Sequence, residues 1–286
     1  MKVCYFGIYN PVYPRNKVLI NGLVTNGVEV LECNEQRGFL GKYWRLMLRH
    51  WRLRKKYDVM VVGFLGQVSI ILARLLTIKP IVLDAFVSLY DSNILDRKLY
   101  QSQSWHAKWY WLLDWLSCRL ADVVLLDTDA HIDYFASEFG IPRERFRRVF
   151  VGSDDRFIHP LFLKPRTDGN FLVRFHGTFV PLHGIEYIVQ AARILEKKNI
   201  SFELLGDGQV FDQVERTVKN LGLGNVKIDR RFVSYNDLNY YLAGADLCLG
   251  IFGDTGKAQR VIPNKAYEAI AASRRRLLES YASNYS

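Results

Sequence analysis

Short apolar runs alternate with longer amphipathic stretches along most of this chain. The runs at 3–8, 28–33, 59–62, 81–83, 122–126 and 146–151 are dominated by Val, Ile, Leu and Phe and are too short for helices. Strands covered on both faces read this way, as in a parallel sheet. Between them, 17–25, 68–76 and 130–139 read as helices, the last stopped by Gly140. A stretch without periodicity follows at 159–170, with Pro160, Pro165 and Gly169. The alternation then resumes, with strands at 171–176, 202–205, 226–228 and 247–249 and an amphipathic helix at 185–197. The pattern predicts an α/β protein of two parallel-sheet domains, 1–160 and 171–286, joined by a linker.

Two helical stretches stand apart by composition. In 41–56, Trp44, Met47, Leu48 and Trp51 share one face, while Lys42, Arg45, Arg49, Arg52 and Lys56 gather opposite; Leu46 and Leu53 fall among the charges. No acidic residue lies between Lys42 and Lys56. Such a helix either lies in a membrane interface or docks its Trp stripe on the sheet, and the pattern leaves both open. At 105–116 the stripe of Trp105, Trp109, Leu112 and Leu116 reads as core.

Composition narrows the function class. The 286 residues are 49% hydrophobic and 14% aromatic, ample for two cores. A net charge of +10 points to a polyanion, a phosphorylated ligand or an anionic membrane surface. Cys4, Cys33, Cys118 and Cys248 have no paired spacing, so neither a metal site nor a disulfide framework is expected. No apolar run approaches the roughly 20 residues of a spanning helix, and the expected location is the cytoplasm. The basic stretch lacks a recognised nucleic-acid module, so no nucleic-acid partner is expected.

The densest chemistry lies at 249–271. A loop holding Gly250, Gly253 and Gly256 leads through Pro263 into a helix. Helix starts of this kind present free N–H groups and a positive dipole end to phosphate. Lys257, Arg260 and Lys265 add cationic charge, and Glu268 falls one turn in, where a carboxylate suits a ribose diol. Glycines also follow the strands at 177 and at 206 and 208, so three glycine loops converge on one edge of the second sheet. None matches G-x-G-x-x-G or a P-loop. Asp84 ends an apolar strand, where open α/β sheets place their chemistry, and either orients or deprotonates an acceptor hydroxyl or caps the following loop.

Four segments in fixed order, GTFVPLHGIEYIVQAARIL (177–195), LLGDGQ (204–209), YYLAGADLCLGIF (240–252) and VIPNKAYEAIA (261–271), resemble the nucleotide-sugar-binding half of glycosyltransferase family 4. YNPVYPRN and VVLLDTDAHIDYF are similar to its acceptor half. The resemblance implies a GT-B fold of two facing Rossmann-like domains and a metal-independent transfer, with retention of configuration, from a nucleotide diphosphate sugar. It needs no cofactor beyond that donor, and the acceptor would be a lipid-linked or growing polysaccharide at the inner membrane face. The implied donor site takes Gly177, Thr178, His183 and Gly184 from the first loop, Gly206 and Gly208 from the second, then Lys257, Asn264, Lys265 and Glu268. Trp44, Arg45, Arg49, Trp51 and Arg52 form the membrane candidate.

Three departures qualify this expectation. Thr178 and His183 stand where the family often has Arg and Lys, which shifts the phosphate charge to Lys257 and Lys265. Arg260 occupies the place of the first of two glutamates spaced eight apart. Family-like sequence stops after Ala271, so the second domain is expected to be incomplete, with a truncated binding module as the alternative to an active enzyme.

Overall fold

A computed structural model describes residues 1–36, 41–161, 163–164, 166–231 and 233–272. The expected truncation turns on residues 273–286, which lie outside that range. The chain forms two compact units, one of Met1–Val151 with Arg260–Ile262, the other of Gly152–Gln259 with the residues from Pro263 on. Residues before the 159–170 stretch already belong to the second unit, because Ile158 is buried there against Leu242 and Ala272.

The first unit runs β1 (Lys2–Gly7), α1 (Pro14–Thr25), β2 (Glu29–Asn34), α2 (Lys42–Leu53), β3 (Val59–Val62), α3 (Ser69–Leu76), β4 (Ile81–Asp84), α4 (Trp105–Leu120), β5 (Val123–Leu126), α5 (Asp129–Phe139) and β6 (Phe146–Arg148). Its strands pair in parallel in the order β2-β1-β3-β4-β5-β6. The alternation of side chains across a strand splits the core in two. Val3, Tyr5 and Val61 face α1, whereas Cys4, Phe6, Met60, Val62, Ile81 and Leu83 face α2, α3, α4 and α5. One turn of π-helix, Asp91–Asp96, lies between β4 and α4.

The second unit runs β7 (Phe171–His176), α6 (Ile185–Ile194), β8 (Ile200–Leu205), α7 (Phe211–Asn220), β9 (Val226–Asp229), α8 (Tyr235–Ala243), β10 (Leu247–Cys248) and α9 (Asn264–Ala272). Its parallel sheet has the order β10-β7-β8-β9. Phe175, Phe179, Ile185, Val189, Phe202 and Leu204 centre its core. β10 is an edge strand among the described residues, and beside it an apolar groove of about 450 Å³ opens between α6 and the sheet, lined by Val173, Ile188, Ala191, Phe202, Leu247 and Phe252 among others.

One sequence-based reading is reversed, and one of the two alternatives left open for α2 is removed. Trp105, Trp109 and Leu112 are 65%, 46% and 41% exposed, so the α4 stripe is not core. Its buried side is Ala107, Leu113, Asp114, Ser117 and Cys118, three of them small. In α2 the docked side chains are Leu46 and His50, with Leu53 half-buried, and Trp44 and Trp51 project into solvent at 61% and 64%. The Trp stripe of α2 therefore does not dock on the sheet. The leucines that interrupted the charged face are what holds the helix down.

Candidate functional site

Three strand ends of the second unit carry the expected glycine loops, and they press backbone against backbone. Gly206, at φ 142°, follows β8, and a methyl group there would lie 1.9 Å from the carbonyl oxygen of Gly177. A methyl group at Gly184, at φ 58°, would meet the backbone of Phe252 and Gly253 at 2.5 Å. Hydrogen bonds fix the contacts: Gly177 N–H donates to Leu205 O at 2.9 Å, Phe179 N–H to Asp207 O at 2.9 Å, and Phe252 N–H to His183 O at 3.1 Å. Only residues without a Cβ permit such approach. The structure thus brings Gly177, Thr178, His183, Gly184, Gly206 and Gly208 together with the loop at 250–256.

Behind the Gly177 turn stands the first turn of α9. Lys265 is 5% exposed, and its Nζ has no hydrogen-bond partner. The ammonium lies 3.9 Å from the centroid of the Phe175 ring and fills the space beside Gly177, where an added methyl would meet it at 3.0 Å. Burial pushes its pKa well below the usual lysine range, with Glu268 acting in the opposite direction. An enclosed cation without a hydrogen bond is costly in a folded protein. Lys257 is also buried, at 8%, and Asn264 opens the helix.

Glu268 is 6% exposed and accepts hydrogen bonds from His176 Nε2 at 2.8 Å and from the Tyr235 hydroxyl at 3.3 Å. An ionised carboxylate has about four acceptor positions, so these leave capacity for a ribose diol. His183 donates from Nδ1 to the Thr178 carbonyl, and its pKa falls to about 3, chiefly through burial and then through the charge of Lys265. It is neutral at ordinary pH, so it supplies no positive charge to a phosphate.

Asp84 does end β4, but it is fully buried. Arg15, also fully buried, donates to it from Nη2 at 2.8 Å and from Nε at 3.1 Å, and gives its Nη1 to the carbonyls of Val149 and Phe150. This arrangement clasps α1 to the ends of β4 and β6, and as it stands no acceptor hydroxyl reaches the carboxylate. Arg260 pairs with Asp91 at 3.0 Å and lies over the Tyr134 ring at 4.1 Å. Sequence reasoning missed His176, Tyr235, Asp91 and Arg15, each brought in by tertiary contact. It also missed Asp127 and His131, a fully buried pair 2.8 Å apart following β5. Among the described residues no group of three or more His, Cys, Asp or Glu gathers to hold a metal ion.

No protein-family profile matches the chain, and no curated protein matches it in sequence. Solved structures do. Anabaena HepE in complex with UDP-glucose superposes with a TM-score of 0.56 at 16% identity, over 87% of this chain and 73% of that one. The lipopolysaccharide outer core galactosyltransferase WaaB gives 0.52 at 12%, with the same coverage. The pneumococcal O-GlcNAc transferase GtfA, in complex with UDP and GlcNAc, gives 0.55 at 14%, over 82% of this chain and 44% of its own. At such identities the likeness establishes the architecture, and the activity has to be argued from the site. The chain has the α/β fold with two parallel sheets that characterises the GT-B glycosyltransferases.

Proposed function

We propose that this protein is a glycosyltransferase that draws on a nucleotide diphosphate sugar bound by its C-terminal unit. The observation that carries the reading is Lys265, an enclosed ammonium without a hydrogen-bond partner beside the Gly177 turn. A diphosphate at that turn would supply the missing partner, with the N-terminal end of α9 sharing its charge. Lys257 is the second cation of this site. Glu268 would take the ribose hydroxyls, held in place by His176 and Tyr235. The UDP complexes of HepE and GtfA favour a uridine nucleotide as the first one to try.

Family 4 membership, transfer with retention and independence from metal and cofactor are further parts of this proposal, as is a lipid-linked or polysaccharide acceptor met at the cytoplasmic face of a membrane. There α2 supplies Trp44, Trp51, Arg45, Arg49 and Arg52, each basic side chain contributing on the order of 1 kcal/mol near anionic lipid. A nucleotide-sugar-binding module without turnover is the second reading. It is favoured by Arg260, which stands where a glutamate is expected at the sugar and is itself paired with Asp91. Release of UDP from UDP-glucose or UDP-N-acetylglucosamine, followed with and without a membrane extract as acceptor, separates the two. Acceptor-dependent release is the expected result, and tight UDP binding with no release from either sugar would favour the module.

A further inference from the structure

We propose that the outer surface of α2, α3 and α4 forms one face that seats the N-terminal unit on an anionic lipid bilayer. This extends the membrane reading of α2 from one helix to a layer of three. It is independent of the nucleotide site, which lies in the other unit.

The three helices cover the same side of the sheet, since Leu46, Ile70, Ala73 and Cys118 enter one core. α3 touches α2 on one side and α4 on the other. On each helix large apolar residues are among those turned away from the sheet. α2 presents Trp44, Leu48 and Trp51, at 61%, 47% and 64% exposure. α3 adds Leu75 at 80% and, just beyond its end, Ile78 at 100%. α4 contributes Trp105, Trp109 and Leu112. Exposed apolar side chains occurring singly need no explanation, but large aliphatic and indole groups on three adjoining helices do.

Charge identifies the occupant. α2 and α3 contain no acidic residue, and the one in α4, Asp114, is fully buried beneath Ser88 and the backbone N–H groups of Leu89 and Tyr90. The acids at the margins of the layer have partners: Glu35, itself buried, lies within 4 Å of Arg45 and Arg49, Asp122 pairs with Arg74 at 2.7 Å, Glu138 accepts from the Trp111 indole N–H at 2.9 Å, and Asp58 accepts from the Lys2 N–H at 2.7 Å. Lys42, Arg52, Lys55, Lys56, Lys108 and Arg119 add only positive charge. Indole rings with interleaved cations match a bilayer interface that is anionic at the headgroups and apolar beneath. A protein partner of matching shape would need an apolar face ringed by acids, whereas anionic lipid offers both everywhere.

The test is sedimentation of the full chain with vesicles of phosphatidylglycerol and phosphatidylcholine, against vesicles of phosphatidylcholine alone. One variant carries Arg52→Glu and Lys55→Glu on α2, a second Trp105→Ser and Trp109→Ser on α4, and a third Leu75→Gln and Ile78→Gln at α3. A control with Lys197→Glu and Lys198→Glu in the other unit changes net charge as much as the α2 variant does. All sites are exposed, and thermal melts verify folding. The expected result is binding to anionic vesicles that roughly 0.5 M salt releases, weakened about tenfold or more in each face variant and unchanged in the control. Equal binding to neutral vesicles, or an equal loss in the control, would overturn the face altogether. Loss in the α2 variant with full binding in the other two would leave α2 as the membrane contact and overturn the three-helix face. None of these outcomes bears on nucleotide binding, which calorimetry with UDP reads separately.

Discussion

Lys265 concentrates the energetic argument, because a buried ammonium is unfavourable to the empty protein and useful to the loaded one. Its pKa is lowered in the fold, so between that value and the ordinary lysine value the unfolded chain binds the extra proton. Stability of the ligand-free protein should therefore rise with pH across that window, and below it the buried charge is a standing cost. Lys265→Met keeps the volume and removes the charge. The expected outcome is a higher melting temperature without ligand, a flatter stability-pH profile, and UDP affinity at least about tenfold lower. Glu268→Ala should weaken UDP binding by about 1 to 3 kcal/mol through loss of charge-assisted hydrogen bonds, read by the same calorimetry. Asp84 belongs to another class of residue. Removing its charge strands the buried Arg15, so Asp84→Asn should destabilise the N-terminal unit by roughly 3 kcal/mol or more in urea unfolding. Catalytic loss at unchanged stability would instead return Asp84 to the acceptor side of the chemistry.

Among the elements, the glycine loops are the least tolerant of change. Gly206→Ala adds a methyl 1.9 Å from Gly177 O at a positive φ, and both the strain and the collision oppose it. A loss of about 2 to 4 kcal/mol in the C-terminal unit is expected from overpacking and backbone strain together, with UDP binding lost in parallel. These loops were legible in the sequence because glycine after an apolar run marks a strand end where the chain turns sharply. The alternation of strands and helices was legible for the same local reason. The helix faces were not. Periodicity gave α4 one apolar stripe, Trp105, Trp109, Leu112 and Leu116, and a burial rule based on hydrophobicity alone selected it, although only Leu116 is half-buried. The sheet took the side with Ala107, Ser117 and Cys118, where small side chains permit close packing and Asp114 anchors the chain after β4. α2 repeats the lesson, with Leu46 and His50 inside and two tryptophans outside.

For the molecule as a whole, the two units have separate cores, so ligand and mutation effects should separate by unit. UDP at 100 times its dissociation constant should stabilise the C-terminal unit by about 2.7 kcal/mol. The site was half legible. Lys265 and Glu268 stood out because a proline, a helix start and nearby cations sit within a few residues of each other. His176 lies 92 residues from Glu268, and Asp91 lies 169 from Arg260, separations across which nothing in a single sequence signals contact. The central claim is that the glycine loops and α9 hold a nucleotide diphosphate. Calorimetric titration of UDP into the full chain, wild type beside Lys265→Met, tests it most directly. The account predicts a saturable isotherm for the wild type, weakened at least about tenfold in the variant although the variant melts at a higher temperature. No binding to the wild type, or equal binding by both proteins, would contradict it.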